Sequence, residues 1–152
     1  MSYLFSIVLA QGIGGLGALF TSSKIATWYE TLLKPTWTPP GWVFGPIWTT
    51  LYLLMAIAAA RIWNVRGSSA LVRGALVLYG LQLLLNLLWS VLFFGLESPA
   101  IGLLGIVLLW IVIVATIIVF WRIDTISGVL LLPYIMWVSI AMTLNYRIFV
   151  LN

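Results

Sequence analysis

The sequence predicts an all-α integral membrane protein, a bundle of five transmembrane helices with a long ordered loop between the first and the second. Three observations lead there. Hydrophobic residues make up 64% of the chain and charged residues only 7%, against roughly 25% charged in soluble domains, so there is too little charge to clothe a water-facing surface. The 152 residues divide into apolar runs, each long enough to cross a bilayer, which takes about 20 helical residues. In hydrocarbon every backbone N–H and C=O must be bonded within its own segment, which makes runs of this length helices; barrel strands would be about half as long and would alternate.

The first run, roughly 3–22, has no Lys or Arg before it and so lacks the basic leader of a secretory signal; it reads as a retained first span. It carries Ala10, Gly14, Ala18 and Ser22 at four-residue intervals, a ridge of small residues suited to close helix packing, within the bundle or against a second subunit; one alternative for the function is that this ridge makes the chain a structural partner of other membrane proteins. The connection that follows, about twenty residues long, far exceeds the usual 2–8 of helix bundles. It is stiffened by Pro35, Pro39 and Pro40 and loaded with Trp28, Tyr29, Trp37 and Trp42. It reads as an ordered cover, with Trp37, Pro39, Pro40 and Trp42 as a lid; the competing reading, for these tryptophans and for Trp63 and Trp121, is an aromatic belt among the headgroups.

The second span, roughly 42–63, offers Trp48 and Tyr52 and is expected to bend at Pro46. The third, roughly 71–95, begins at Ser68 or Ser69 as cap and presents Gln82, Asn86 and Ser90 on one face with Trp89 beside them. That polar stripe serves either interhelical hydrogen bonding or a ligand-facing wall. Ser98-Pro99 opens the fourth span, roughly 99–121, and Asp124 or Thr125 opens the fifth, roughly 126–149, with a bend at Pro133. On the fifth span Tyr134, Trp137, Ala141 and Asn145 fall near one face, Ala141 leaving room beside two rings. Together the five spans make residues 1–152 a single transmembrane domain.

Seven basic and three acidic residues, net +4, stand singly at the ends of the apolar runs. This is headgroup anchoring and not a nucleic-acid patch. Arg61, Arg66, Arg73 and Arg122 fall on one side and Lys24, Lys34 and Arg147 on the other, a slight lean towards a cytoplasmic N-terminus. With no cysteine and no histidine, the chain builds no disulfide, zinc site, iron–sulfur site or histidine-ligated haem, and no metal site or required cofactor is expected. Glu30, Glu97 and Asp124 all fall near the membrane edges, so no acid–base pair and no mid-membrane charge is available. Trp48, Trp89, Trp110 and Trp137 lie well inside their spans, where some are expected to face a cavity. The faces combine into an aromatic pocket with a few amides and hydroxyls, suited to a flat hydrophobic ligand with polar edges. Porphyrins and sterols both answer that description.

The run from Trp28-Tyr29 through Lys34-Pro35-Thr36-Trp37-Thr38-Pro39-Pro40-Gly41-Trp42 to Gly45-Pro46-Ile47-Trp48-Thr49-Thr50-Leu51-Tyr52 closely resembles the tryptophan-rich sensory protein/translocator protein family, TspO/MBR. Gln82 through Trp89 with Phe93-Phe94-Gly95 looks like the family's third helix, and Pro133-Tyr134 through Trp137 to Asn145-Tyr146 like its fifth. The resemblance implies a five-helix bundle, commonly a homodimer among membrane lipids. It would bind porphyrins (protoporphyrin or haem) and lipid-like small molecules beneath the first loop, acting in their transport, sensing or disposal. The implied pocket includes Tyr29, Trp48, Asn86, Trp89, Trp137 and Ala141, to which the residue faces above add Tyr52 and Tyr134. For some bacterial members it also implies light-driven breakdown of protoporphyrin at tryptophans matching Trp48 and Trp137, the candidate catalytic pair. The cholesterol-recognition pattern is broken here, because Arg147 follows Tyr146 directly and no basic residue comes later. Gly105 stands where some animal members carry an aspartate. The short tail and minimal loops point to a bacterial membrane; a eukaryotic member would sit in the mitochondrial outer membrane.

Overall fold

The computed structural model describes residues 3–65 and 69–152, and among them the chain is helical throughout its elements, with no strand. Helix α1 (Tyr3–Lys24) continues as a π-helical turn (Ile25–Tyr29); α2 is Gly41–Asn64; α3 (Ala70–Ser90) also continues as a π-helical turn (Val91–Gly95). Then come α4 (Pro99–Ile123), the short α5 (Thr125–Leu130) and α6 (Leu132–Leu151). The last two are halves of one span, so five described helices are long and apolar enough to cross a membrane, as the composition requires. The caps explain the starts. Ser69 Oγ accepts from the Val72 N–H at 3.2 Å, Ser98 Oγ from Ile101 at 3.4 Å, and Asp124 Oδ2, not Thr125, from Ser127 at 3.0 Å. Ser68 and Arg66 lie outside the described residues.

Helix α1 lies against α2 and α3, α4 against α3, α5 and α6, and α2 against α5. In lipid no hydrophobic force draws helices together, so close contact and interhelical hydrogen bonds must. Helix α2 supplies both through a band of small residues, Ala56, Ala58, Ala59 and Ala60, all fully buried. Ser6 of α1 donates to the Ala56 carbonyl at 2.8 Å and Ser127 of α5 to the Ala58 carbonyl at 3.2 Å, so neighbours on both sides fasten to the same stretch of backbone. At this end Arg61 makes a two-pronged bond to Asp124, at 2.7 and 3.0 Å. The Arg61 bond, helped by Ser127, holds the Asp124 carboxyl at about 2, well below its ordinary range. At the opposite end Lys24 pairs with Glu97 at 2.6 Å, tying α1 to the α3–α4 turn, where Glu97 adopts a left-handed φ of 53°.

The first span is longer than its apolar pattern indicates, running Tyr3–Tyr29, so the connection to α2 shortens to residues 32–40. The physical reason is that its polar residues bond back into the helix they seemed to end. Thr21, Ser23, Thr27 and Thr31 donate to the carbonyls of Gly17, Leu19, Ser23 and Trp28 at 3.1, 3.2, 3.1 and 2.7 Å. The fifth span breaks at Leu131, two residues before Pro133, whose ring has no N–H to continue the ladder. Helix α2, by contrast, stays helical through Pro46.

Candidate functional site

The polar stripe of α3 organises the loop end of the bundle. Asn86 is buried and spends its amide in both directions: its Oδ1 accepts from Tyr52 Oη of α2 at 2.9 Å, and its Nδ2 donates to Tyr134 Oη of α6 at 2.8 Å. One side chain thereby fixes the spacing of α2, α3 and α6. Trp48 rests on both tyrosine rings, with centroids 5.7 Å from Tyr52 and 6.3 Å from Tyr134. One turn on, Trp89 Nε1 donates to Asn145 Oδ1 at 3.3 Å, and Asn145 Nδ2 donates to the Pro99 carbonyl at 2.7 Å. Gln82 reaches only the Met55 sulfur, at 3.7 Å, leaving its Oε1 and the nearby Tyr79 Oη without partners.

Beside this network is a cavity of about 310 Å³. Its α1 wall is Gly14, Gly15, Gly17, Ala18 and Ser22; α2 gives Phe44, Trp48 and Tyr52; α3 and its π turn give Asn86, Trp89, Ser90 and Phe94. The space exists because glycine faces ring: a Cβ on Gly14 would stand 2.5 Å from Tyr52 Cε2. Rim residues Gly15, Ala18, Ser22, Gly45 and Thr49 are exposed, so the cavity opens sideways between α1 and α2, with Gln11 Nε2 bonded to the Thr49 carbonyl at 2.9 Å across the mouth.

Of the sequence candidates, Trp48, Tyr52, Asn86 and Trp89 border this cavity, whereas Tyr29, Tyr134, Trp137 and Ala141 do not. Tyr134 is enclosed behind Asn86. Tyr29 packs against Phe93 and Phe94, centroids 6.4 and 5.8 Å away, and Trp137 meets Phe44 edge-on at 5.7 Å. Tyr29 Oη and Trp137 Nε1 are buried and have no hydrogen-bond partner. Trp28, read from sequence as lid or belt, is instead packed into Phe93 at 5.4 Å. Trp110 does not border this cavity; its Nε1 donates to Ser139 Oγ across α4 and α6 at 2.9 Å. The small-residue ridge divides: Ala10 is fully buried in packing, while Gly14, Ala18 and Ser22, expected to serve packing, line the cavity. Sequence reasoning missed that α1 wall along with Phe44 and Phe94. A glycine has no chemistry of its own to signal, and only the fold reveals the ring opposite it.

The four lid candidates do not border the cavity. Trp37 and Trp42 are 48% and 76% exposed, in the position of headgroup anchors. The loop is nonetheless tied down. Lys34 Nζ donates to the carbonyls of Tyr29, Leu32 and Glu30 at 2.6, 3.0 and 3.3 Å, capping the end of the π turn from 4.8 Å above the Tyr29 ring. Asn152 exchanges two bonds of 3.0 Å with the Leu33 backbone.

Comparison with known proteins places this architecture. The chain is 44% identical over 146 residues to the tryptophan-rich protein TspO of Chlorobaculum tepidum, covering 96% of this chain and 92% of that one. It is 41% identical over 139 residues to protein CrtK of Rhodobacter capsulatus, covering 91% and 85%. The human translocator protein is 35% identical over 142 residues, covering 91% and 83%. A sequence profile of the TspO/MBR family matches residues 6–151, and with five membrane-spanning helices to match, the chain belongs to the TspO/MBR family of multi-pass membrane proteins.

Proposed function

We propose that the protein binds a flat, hydrophobic molecule bearing hydrogen-bond acceptors, a porphyrin such as protoporphyrin or haem, among the aromatic residues at the loop end of the bundle, and acts in its transport, sensing or disposal. The observation that carries this reading is the pair of buried donors without partners, Tyr29 Oη and Trp137 Nε1. An unsatisfied buried polar group costs about 1–3 kcal/mol. The surrounding Tyr52, Asn86, Tyr134, Trp89 and Asn145 all have partners. Indole N–H only donates, so what completes the pair is an acceptor, a carbonyl or carboxylate oxygen at the edge of a ligand. The rings of Trp48 and Trp89 offer flat apolar surface for its body. Family membership supports the tetrapyrrole and, with it, a homodimer, which light scattering of the purified protein would check.

The test is a dark titration with protoporphyrin in lipid nanodiscs, followed by tryptophan quenching and the Soret band, for the wild type, Tyr29→Phe and Trp137→Phe. Each variant deletes one donor and should weaken binding roughly 5- to 10-fold, one net hydrogen bond. A wild type that does not saturate, or variants that bind as it does, would sink the reading. Trp48 borders the cavity, so the same samples also separate the alternative, oxidative breakdown of the porphyrin through indole radicals at Trp48 and Trp137. Illumination in air would then replace the Soret band with a product spectrum, whereas binding alone leaves it intact.

A further inference from the structure

The unpartnered groups of Tyr29 and Trp137 do not look into the existing cavity; two phenylalanines stand between. Phe94 borders the cavity and lays its ring on Tyr29, centroids 5.8 Å apart. Phe44 borders it too and sets its ring against Trp137 at 5.7 Å. We propose that Phe44 and Phe94 are gate residues: their rings stand between the lateral cavity and the buried Tyr29 Oη and Trp137 Nε1, and a porphyrin reaches those donors only when the rings swing aside. This rests on the binding reading above and adds to it which residues control access and selectivity.

Size is the first argument. A cavity of about 310 Å³ lies at the bottom of the roughly 300–1,000 Å³ range of pockets for drug-sized ligands, and a tetrapyrrole is larger than most of those. Something must move, and the seats of the two rings mark what. Phe94 stands on the π turn Val91–Gly95, facing the π turn Ile25–Tyr29 that carries Tyr29. π-Helical turns are rare, single-turn bulges that cluster at functional sites. Relaxing one to α geometry slips the ladder by a residue and rotates its side chains by about 100°. Here two such bulges hold one aromatic contact between them.

The neighbouring ring shows the contrast. Phe93 is 2% exposed, stacks on Trp89 at 5.6 Å and presses on Gly102, where a Cβ would come within 2.8 Å of its ring; Phe94, 5% exposed and edge-on to Phe93 at 4.8 Å, is buried as well, but it alone of the two borders the cavity. Phe44 sits in the first turn of α2, where backbone N–H groups lack helical partners. It is half-buried and followed by Gly45, around whose missing Cβ nothing lies within 4 Å. Gly45 therefore adds no side chain to hold the ring, whose aromatic neighbour is Trp137.

The experiment is stopped-flow association of protoporphyrin with the full-length protein in nanodiscs, for the wild type, Phe44→Ala, Phe94→Ala and the lipid-facing control Leu84→Ala. Removing a gate ring should raise the association and dissociation rates together, association by about tenfold or more, so that the equilibrium constant moves less than either rate. A side chain that merely contacts bound ligand would change dissociation alone. Association within about twofold of wild type in both gate variants, or equal acceleration in Leu84→Ala, overturns the proposal. Should the alanine variants fail to fold, 4-fluorophenylalanine at positions 44 and 94 of the otherwise wild-type chain decides the same question before ligand is added: each fluorine resonance exchanges with a second, open environment in relaxation dispersion, or the gate does not exist. A wild type that never saturates defeats the binding reading itself; one that saturates while the rates stay put and no exchange is seen defeats the gate alone.

Discussion

Replacing Asn86 by leucine tests whether the polar stripe of α3 is structural glue with a measurable coupling. The side chain is 2% exposed and lies between Tyr52, 5% exposed, and Tyr134, 1% exposed, bonded to them at 2.9 and 2.8 Å. Interhelical hydrogen bonds in membrane proteins contribute about 0.6 kcal/mol on average and up to about 1.7, so losing two, with two hydroxyls orphaned, should cost about 1–3 kcal/mol. Tyr134→Phe removes only one of the bonds and should cost about 0.6–1.7 kcal/mol. The shared bond is absent in both variants, so the double variant should fall short of the sum by that same amount. Helicity followed by circular dichroism during SDS unfolding in mixed micelles measures all four corners of the cycle. Trp48, which rests on both tyrosine rings, should at the same time become more open to acrylamide in Asn86→Leu. Costs that add to within about 0.3 kcal/mol, with unchanged Trp48 quenching, would refute the network and return Asn86 to a pocket-lining role only.

Three further outcomes follow from contacts elsewhere. Gly128→Ala should destabilise by about 1–3 kcal/mol in a thermal melt, because its Cβ would lie 3.0 Å from the Trp121 backbone and 2.7 Å from its ring; a melt unchanged within error would contradict the close α4–α5 packing. Asp124, its carboxyl held at about 2 in the fold against 3.8 as the ordinary value, should lend stability that is complete above about pH 5 and is lost as pH falls through 4 towards 2. Asp124→Asn should flatten that acid limb and lower stability at neutral pH by about 1–2 kcal/mol, the pair being partly open to solvent; an unchanged acid limb would show the pair to be idle. Tyr29→Phe should leave thermal stability equal or slightly higher, since it deletes an unsatisfied buried hydroxyl with little change of volume; a loss above about 1 kcal/mol would mean that the hydroxyl is bonded after all.

What the sequence could and could not convey follows from where each signal resides. The spans were legible because hydrocarbon imposes one requirement along the whole of each helix, and the caps at Ser69, Ser98 and Asp124 were legible because capping is local in sequence. The end of α1 was not, since Thr21, Ser23 and Thr27 look like loop residues until their hydroxyls are seen bonded to carbonyls one turn back. Half of the candidate site was legible for the same reason as the spans: Asn86 and Trp89 share a helix face by their spacing, and Trp48 and Tyr52 lie one turn apart. The α1 wall was illegible because its contribution is an absence. Gly14 makes room only by virtue of Tyr52, 38 positions away in sequence but within 2.6 Å of where a Cβ would stand.

The same distinction bears on Tyr29 and Trp137. Trp137 was legible as one of a helix face, and Tyr29 only through the family resemblance; in the proposed gate, whether either touches open space depends on the rotation of Phe44 and Phe94, and periodicity says nothing about that. A static pocket would bring every ligand-facing group to one surface. Here the satisfied groups, Tyr52, Asn86 and Trp89, face the space that exists, while the unsatisfied ones, Tyr29 and Trp137, are shut behind rings seated beside a π turn and a bare glycine. Buried donors without partners raise the energy of the closed state, and in the proposed gate an acceptor on a ligand would lower only the energy of the open one. On the proposed reading, the cost at Tyr29 Oη and Trp137 Nε1 is a bias that ligand binding would release, and opening, not contact with the cavity wall, would be the step that distinguishes one flat hydrophobic molecule from another.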